Sequence, residues 1–474
     1  MKTVELIKNR IKNARCAVLG FGVSNVPLVE LLIECGDEIT VHDKKDIEKL
    51  GEKARLFADK GVRFVTGENY LDVIDADIIF RSPGIRPDYE GIKRAVENGA
   101  ELTSEMELFL ELTPAYILGV TGSDGKTTTT TIAYKLLEKK YENSDRKIYV
   151  GGNIGTPLLS KVGEMTERDI CVLELSSFQL FTMKRSPHRA VITNLSPNHL
   201  DWHKGMAEYV EAKTNIYKRG CEMLTLNGNN ELSKALSVAD DIELALFSAD
   251  YSYEDIVEKY KDKPEEKSKS AMFIYDGHIY RYYNNHVLKV LDLNSILIPG
   301  KHNIENYMAA ISLTWGMIPE QIIKHIAKTF GGVEHRLEIV RELEGVIYIN
   351  SSIDSSPTRT AAALSALPIK PIVICGGYDK NIPFEPLADA LNERARAVVL
   401  TGATAEKIYD ALKQSSSQIE IHIEKDFERA VIKARSIAKK NDIVLLSPAC
   451  ASFDAFDNFM QRGNRFKEIV NSFN

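Results

Sequence analysis

The run Gly119-Val120-Thr121-Gly122-Ser123-Asp124-Gly125-Lys126-Thr127-Thr128 holds the residue types that bind phosphate. It follows an apolar stretch, AYILGV, and opens into TTTTIAYKLLEKK, so the pattern predicts strand, loop and helix in that order. Glycines let backbone N–H groups approach phosphate oxygens, and a helix N-terminus adds positive potential. Lys126 would bridge the β- and γ-phosphates of ATP, and the Thr127 hydroxyl would ligate Mg²⁺. The strict GxxxxGK[ST] spacing needs Gly where this chain has Val120; the spacing here is GxxGxxGKT. The competing reading is a Gly-rich strand–helix turn without a ligand.

A second phosphate-type loop lies at Gly20-Phe21-Gly22-Val23-Ser24-Asn25, where Asn25 replaces the last Gly of GxGxxG. Asp43 follows about 20 residues on, as in dinucleotide folds. One reading is a dehydrogenase. The other, which the family resemblance given below implies, is a sugar-nucleotide diphosphate held by Gly22, Val23 and Ser24, with Asp43 and Lys44 at the uridine end and Ser82-Pro83-Gly84 closing the pocket. An ATP loop in the same chain favours the second.

Single residues add candidates. Glu174, at a strand end in LELSS, is a hard oxygen ligand suited to Mg²⁺, or else a surface carboxylate. His199 and His203 stand four apart, which on a helix would place both on one face and suggest a zinc pair. There is no HExxH, and Gly205 weakens a helix there. Lys213, in the helical stretch EYVEAKTNIY, reads from its type alone as a solvated lysine.

The elements that must position these groups are βα units. CAVLG and ITVHD read as buried strands around the helix NVPLVELLIECGD, and ADIIFRSPGI follows. A second series runs through AYILGVTG, KIYVGGN, DICVLELSS and RAVITNLSP; a third through VIYINS, PIVICGG, AVVLTGA, IEIHIE and DIVLLSPA. The expected fold is α/β: three domains, each a mainly parallel sheet flanked by helices, with P-loop chemistry in the middle one. Boundaries are set at residues 1–104, 105–330 and 331–474, with Gly331-Gly332 as a hinge. MFIYDGHIYRYY is two alternating runs around Asp276-Gly277, a type I′ hairpin signal. An edge hairpin suits it better than a nucleic-acid platform.

The chain has 474 residues, about three domains' worth, with 44% hydrophobic and 27% charged residues. That excludes a disordered or fibrous chain. A net charge of -7 gives no drive toward nucleic acid, and no apolar run spans a membrane. The N-terminal segment lacks a signal peptide's apolar region. Six cysteines without CxxC spacing argue for reduced thiols in a cytoplasm.

The motifs GVTGSDGKTTTT, GGNIGTPL (151–158), LELSSFQL (173–180), ITNLSPNHLDWH (192–203), EAKTNIY (211–217), PGKHNIEN (299–306), EHRLE (334–338), GGYDKN (376–381) and LLSPACASFDAFDNFMQRG (445–463) occur in the order seen in the Mur ligases, which the chain resembles along nearly its whole length. SPACASFD with NFxQRG resembles the D-glutamate-adding branch. The resemblance implies a cytoplasmic, monomeric enzyme of peptidoglycan synthesis that joins D-glutamate to UDP-N-acetylmuramoyl-L-alanine, using ATP and two Mg²⁺ ions through an acyl phosphate. A folylpolyglutamate-type ligase or a nucleotide-binding protein without chemistry are the rival readings.

The resemblance also implies roles. Asn153 would stand near the acyl phosphate, Asn303 and Arg336 on the nucleotide side, with Arg336 clamping phosphate after domain closure. Glu174, His199 and a carbamylated Lys213 would serve the Mg²⁺ site, and His203 would be structural. Lys380, Ser452 and Phe459 would surround the incoming amino acid. Two departures stand out. Asn198 replaces an acid that often precedes His199. Ser351 and Ile353 replace the Asp and Lys of an Asp-Ser-Lys segment, leaving Ser355 for a hydroxyl and Arg359 to restore the charge.

Overall fold

The computed structural model describes residues 2–12, 14–256, 270–380, 382–415 and 418–473. The apolar runs form three sheets, and the chain divides into two compact units, Met1–Thr329 and Phe330–Asn474.

The first sheet has five parallel strands, in spatial order Arg63–Thr66, Glu38–Asp43, Arg15–Leu19, Ile78–Arg81 and Glu101–Thr103. The order reverses beside Arg15–Leu19. Its carboxyl end and that of Ile78–Arg81 carry the Gly20 and Ser82 loops, the position at which doubly wound sheets bind ligands.

The second sheet has nine strands, ordered His286–Asp292, His278–Tyr283, Ser270–Tyr275, Glu243–Phe247, Met223–Asn227, Arg189–Ile192, Tyr116–Thr121, Ile170–Glu174 and Ile148–Gly152. All neighbours pair in parallel except the first three strands, which form an antiparallel edge. Asp276 and Gly277 both take positive φ, 45° and 69°, as a type I′ turn requires. The hairpin gains a third strand, His286–Asp292, joined through Asn284 and Asn285, again at positive φ. The sequence reading had two runs.

Strand Tyr116–Thr121 is buried at five of its six positions, because helices cover both faces of a central parallel strand. Helix Lys126–Tyr141 buries Thr129, Thr130, Ile132, Ala133, Leu136 and Leu137, and packs against helix Lys301–Leu313. One apolar cluster runs from Ile7 and Val18 through Phe109 to Leu173 and Ile192, so the first two sheets share a core.

The third sheet, within Phe330–Asn474, is ordered Glu338–Leu343, Val346–Asn350, Ile443–Leu446, Ile372–Gly376, Ala397–Thr401 and Glu420–Ile423. Only the first pair is antiparallel. All six cysteines are buried free thiols.

One reading is met here, the weak case for a helix at His199, and one fails, the solvated Lys213. His199 and His203 do not share a helix: His199 lies at φ 54°, Trp202 and His203 N–H groups close a turn on its carbonyl, and the helix starts only at Met206. Lys213 is not solvated but 1% exposed, because the inner face of helix Met206–Thr214 packs under the phosphate loop.

Candidate active site

The phosphate loop is shaped by its neighbours. Gly122 takes φ 149°, and a Cβ there would stand 1.9 Å from Thr193 Oγ1; Gly125 takes φ 77°, with Asn306 Oδ1 2.3 Å from the same virtual atom. Ser123 is buried: its hydroxyl donates to Ser196 O (2.9 Å), lies 2.9 Å from Tyr209 Oη and accepts from Ser196 N–H (2.8 Å). Asp124 N–H donates to Asn194 Oδ1 (2.9 Å), and Thr193 Oγ1 donates to Asp124 O (2.5 Å). Ser123 and Asp124 thus lock the loop to the end of strand Arg189–Ile192. Gly119 lies within the strand, where a Cβ would meet Pro187.

Lys126 opens the helix, and its ammonium donates to Ser123 O at 2.9 Å. Thr127 and Thr128 follow in the first turn. Asn303 sits in the first turn of helix Lys301–Leu313; its Oδ1 accepts from Asn306 Nδ2 (3.1 Å), and Asn306 Oδ1 accepts from Thr129 Oγ1 (3.2 Å). Asn306 therefore joins Asn303 to the phosphate-loop helix.

Under the loop lies a buried polar cluster. Lys213 Nζ donates to Gly122 O (2.8 Å) and Thr121 Oγ1 (3.2 Å), and stands 4.8 Å from the Tyr209 ring centre. Burial, then the nearby Lys126 charge, push its pKa well below the usual lysine range; Glu174 and Asp124 oppose this. Glu174, at the end of Ile170–Glu174, is 2% exposed and not a surface carboxylate. Its Oε1 accepts from Asn153 Nδ2 (2.9 Å), and Asn153 N–H donates to Glu174 O (2.7 Å). Gly152 makes this possible, since a Cβ would lie 2.1 Å from Glu174 O.

The other oxygen, Glu174 Oε2, is buried without a hydrogen-bond partner among the described residues. An unpaired buried carboxylate oxygen is costly, and a hard cation would satisfy it. The residues present therefore fit Mg²⁺, although no group of three His, Cys, Asp or Glu side chains gathers among the described residues. A nucleotide's phosphate oxygens would add to the donor set.

His199 is exposed at the rim. Its pKa is lowered by burial of part of the ring and then by the Lys126 and Lys213 charges, with Asp201 opposing. His203 is buried, stacked on Phe178 at 5.7 Å, with Nε2 3.0 Å from Ser177 Oγ.

At the other loop, Gly20 takes φ 84°, and a Cβ there would lie 2.7 Å from Ser82 Oγ. Asn25 Nδ2 contacts Leu19 O (3.1 Å), Gly20 O (2.9 Å) and Ser82 Oγ (3.0 Å), which is why an amide replaces the third glycine. Asp43 accepts from Phe21 N–H (2.7 Å) and Lys45 N–H (2.8 Å), fixing the loop's backbone. Lys44 pairs with Glu68 at the surface. Val23 is 81% exposed at the lip, beside Gly22 and Ser24. Arg81 Nη1 donates to Ser82 O (3.2 Å), Pro83 O (2.9 Å) and Ile85 O (2.6 Å), wrapping the segment that contains Gly84.

In the second unit, Lys380 Nζ donates to Ser355 O (3.2 Å) and Arg359 Nη1 to Ile353 O (3.2 Å). Both cations therefore donate to carbonyls of the same short segment, Ile353 and Ser355. Ser351 is buried and its hydroxyl accepts from Leu337 N–H (3.1 Å). Asp354 is buried with its pKa raised by desolvation; Ser447 Oγ donates to it at 2.8 Å. Ser452 is buried, and Phe459 opens helix Phe459–Ser472 with its ring edge-on to His335. Arg462 binds Ser352 O, Ala451 O and Cys450 O, joining the SPACAS turn to the Ser352 loop. Arg336 is exposed.

Sequence reasoning missed Asn25, Arg81, Asn194, Tyr209, Asn306 and Arg462. Each holds a loop rather than facing a ligand; Asn25 was signalled by its place in the glycine pattern, and Asn194, Asn306 and Arg462 lie within quoted motifs without a role assigned to them.

Three family models match in order: the MurD N-terminal domain at residues 15–91, the Mur ligase middle domain at 120–314 and the Mur ligase, glutamate ligase domain at 335–450. The UDP-N-acetylmuramoylalanine--D-glutamate ligase of Clostridium novyi is 45% identical over 99% of both chains, and that of Clostridium beijerinckii 46% identical over 98% of both. Among solved structures, a UDP-N-acetylmuramate-alanine ligase from Thermotoga maritima shares the fold with TM-score 0.51 at 18% identity, covering 97% of this chain and 99% of that one. A UDP-N-acetylmuramoyl-L-alanyl-D-glutamate--2,6-diaminopimelate ligase does so with TM-score 0.54 at 16% identity, covering 96% and 92%. With near-half identity along its whole length and all three domain models in sequence, the chain belongs to the Mur ligase family.

Proposed function

We propose that this chain joins D-glutamate to UDP-N-acetylmuramoyl-L-alanine at the expense of ATP, giving ADP and phosphate, in cytoplasmic peptidoglycan precursor synthesis. The observation that carries the reading is the convergence of Lys126, Lys213, Glu174 and Asn153 beneath a phosphate loop, in a chain matching D-glutamate ligases over its full length.

Acid–amine ligation in water needs an activated carboxylate. The substrate's alanyl carboxylate attacks the γ-phosphorus, the bond to ADP breaks, and an acyl phosphate forms. The D-glutamate amine then attacks the acyl carbon and phosphate leaves. Backbone N–H groups from Gly122 to Thr128 would cradle the phosphates, and Lys126 would follow the charge on the transferring group. Asn303 would lie at the nucleotide side, and Arg336 on the second unit would bind phosphate. Bound Mg²⁺ would supply charge shielding between phosphate and carboxylate, held by Thr127, Glu174, His199 and a carbamate on Lys213. Lys213 suits that modification because a depressed pKa leaves a neutral amine. Its nitrogen adds to carbon dioxide, a C=O electron pair moves to oxygen and the nitrogen releases a proton, turning the neutral amine into a carbamate of charge -1.

Gly22, Val23, Ser24, Ser82, Pro83 and Gly84 would hold the diphosphate, with Asp43 and Lys44 toward the uridine. D-Glutamate would meet Lys380, Ser355, Ser452, Phe459 and Arg359. Ile353 offers no charge, so Arg359 takes the place of the missing lysine; its bond to the same short segment that Lys380 contacts supports this.

The test is phosphate release with UDP-N-acetylmuramoyl-L-alanine and a panel of amino acids. D-Glutamate alone should sustain turnover, and Arg359→Ala should raise its KM at least about tenfold with little change for ATP. A preference for another amino acid would overturn the assignment.

A further inference from the structure

A web of contacts joins the Ser82–Gly84 loop to the His199 turn, and no residue of the Gly119–Thr128 loop belongs to it. Arg86, four residues from Ser82, is its centre. Its guanidinium meets Glu208 through two bonds of 3.0 Å, contacts Asp88 at 2.9 and 3.0 Å, and donates to Trp202 O. It also lies over the Trp202 ring, 4.8 Å from the centre. Trp202 Nε1 reaches back to Gly84 O at 2.9 Å.

The far side of the web is His199. The N–H groups of Trp202 (3.1 Å) and His203 (3.0 Å) close the turn on His199 O. Phe178 packs against the His199 ring at 4.8 Å and the Trp202 ring at 4.9 Å. Arg81 binds Phe178 O (2.9 Å) while holding the loop carbonyls. Glu208 also accepts from Lys204 N–H (2.8 Å) and lies 3.4 Å from His203 Nδ1, out of line for a hydrogen bond. Arg86 is the largest cause of a Glu208 pKa held down to about 2, so the pair stays charged at neutral pH.

We propose that Arg86 is a positioning residue for the ligation: its fork on Glu208 and Trp202 couples the sugar-nucleotide loop to the His199 turn, so that filling the loop sets His199 in place. His199 occupies the left-handed region, which a non-glycine residue holds only when its surroundings impose it. A bidentate guanidinium does this where a lysine's point charge does not. The inference rests on the reading of the two loops given above.

The test uses the full chain carrying 5-fluorotryptophan, whose two indoles, Trp202 and Trp315, give separate fluorine resonances. UDP is the probe. In the wild type, UDP should shift the Trp202 resonance and leave Trp315 in place. In Arg86→Lys and Glu208→Gln the shift should vanish. Turnover should fall at least about tenfold, KM for the sugar nucleotide should rise, and KM for ATP should stay within about twofold. Equal loss for every substrate in step with a lowered melting temperature would make Arg86 mere structural support and overturn the proposal. So would wild-type kinetics in both variants. If UDP leaves both wild-type resonances unmoved and does not bind by calorimetry, the sugar-nucleotide reading itself fails.

Discussion

At the scale of single residues, the site places two lysines close enough that each bears on the other's charge. Lys126 keeps a helix-start position from which its ammonium can follow the transferring phosphoryl group. Lys126→Ala should cut turnover at least about hundredfold, the order seen when one preorganised electrostatic donor is lost. Its melting curve should stay unchanged; near-normal turnover would remove Lys126 from the chemistry. Lys213 is different, because a buried ammonium beside Lys126 is unfavourable and a carbamate is not. With ¹³C-labelled bicarbonate, a carbamate carbon signal should appear in the wild type and be absent from Lys213→Ala. Small carboxylates should partly restore that variant's activity. A wild-type spectrum without the signal under turnover conditions would exclude the modification. From sequence alone Lys213 read as solvated, since nothing in EAKTNIY says which helical face turns inward; the family resemblance pointed to the site, and the packing of helix Met206–Thr214 shows why. Glu174 was equally ambiguous until Gly152 brought Asn153 against it.

At the scale of elements, the strand–loop–helix at 116–141 was legible because apolar strand, glycines and helix share a short stretch. The packing that shapes the loop was not. It comes from Thr193, Asn194, Ser196 and Asn306, 70 to 181 residues away along the chain from the loop residues they touch, and no local pattern pairs them. Gly122→Ala tests this packing. The new Cβ would collide with Thr193 Oγ1, and its φ of 149° strains any L side chain. ATP affinity should fall at least about tenfold, measured by calorimetry, while UDP binding stays intact. Unchanged ATP affinity would mean the loop is not held as described. The antiparallel edge at 270–292 was half legible: Asp276-Gly277 announced one turn, whereas Asn284-Asn285, at positive φ, was missed amid a Tyr-rich run.

At the scale of the whole molecule, the chain forms three sheets, and three family models match it in the same order along the sequence. The alternation of apolar runs carried the fold class. The chemistry was legible only through the motifs, since composition and charge excluded partners without naming a substrate. What remained unreadable was the tie between the first two sheets, made by Arg81, Arg86 and Trp202, whose contacts span 97 to 122 residues of sequence. The central claim is that ATP activates the substrate carboxylate as an acyl phosphate before D-glutamate attacks. The measurement is isotope transfer: UDP-N-acetylmuramoyl-L-alanine labelled with ¹⁸O in its alanyl carboxylate, ATP and D-glutamate, with the released phosphate read by mass spectrometry. The account predicts one ¹⁸O atom in each phosphate released and the other kept in the new amide. Unlabelled phosphate, or label-free release without D-glutamate, would contradict it.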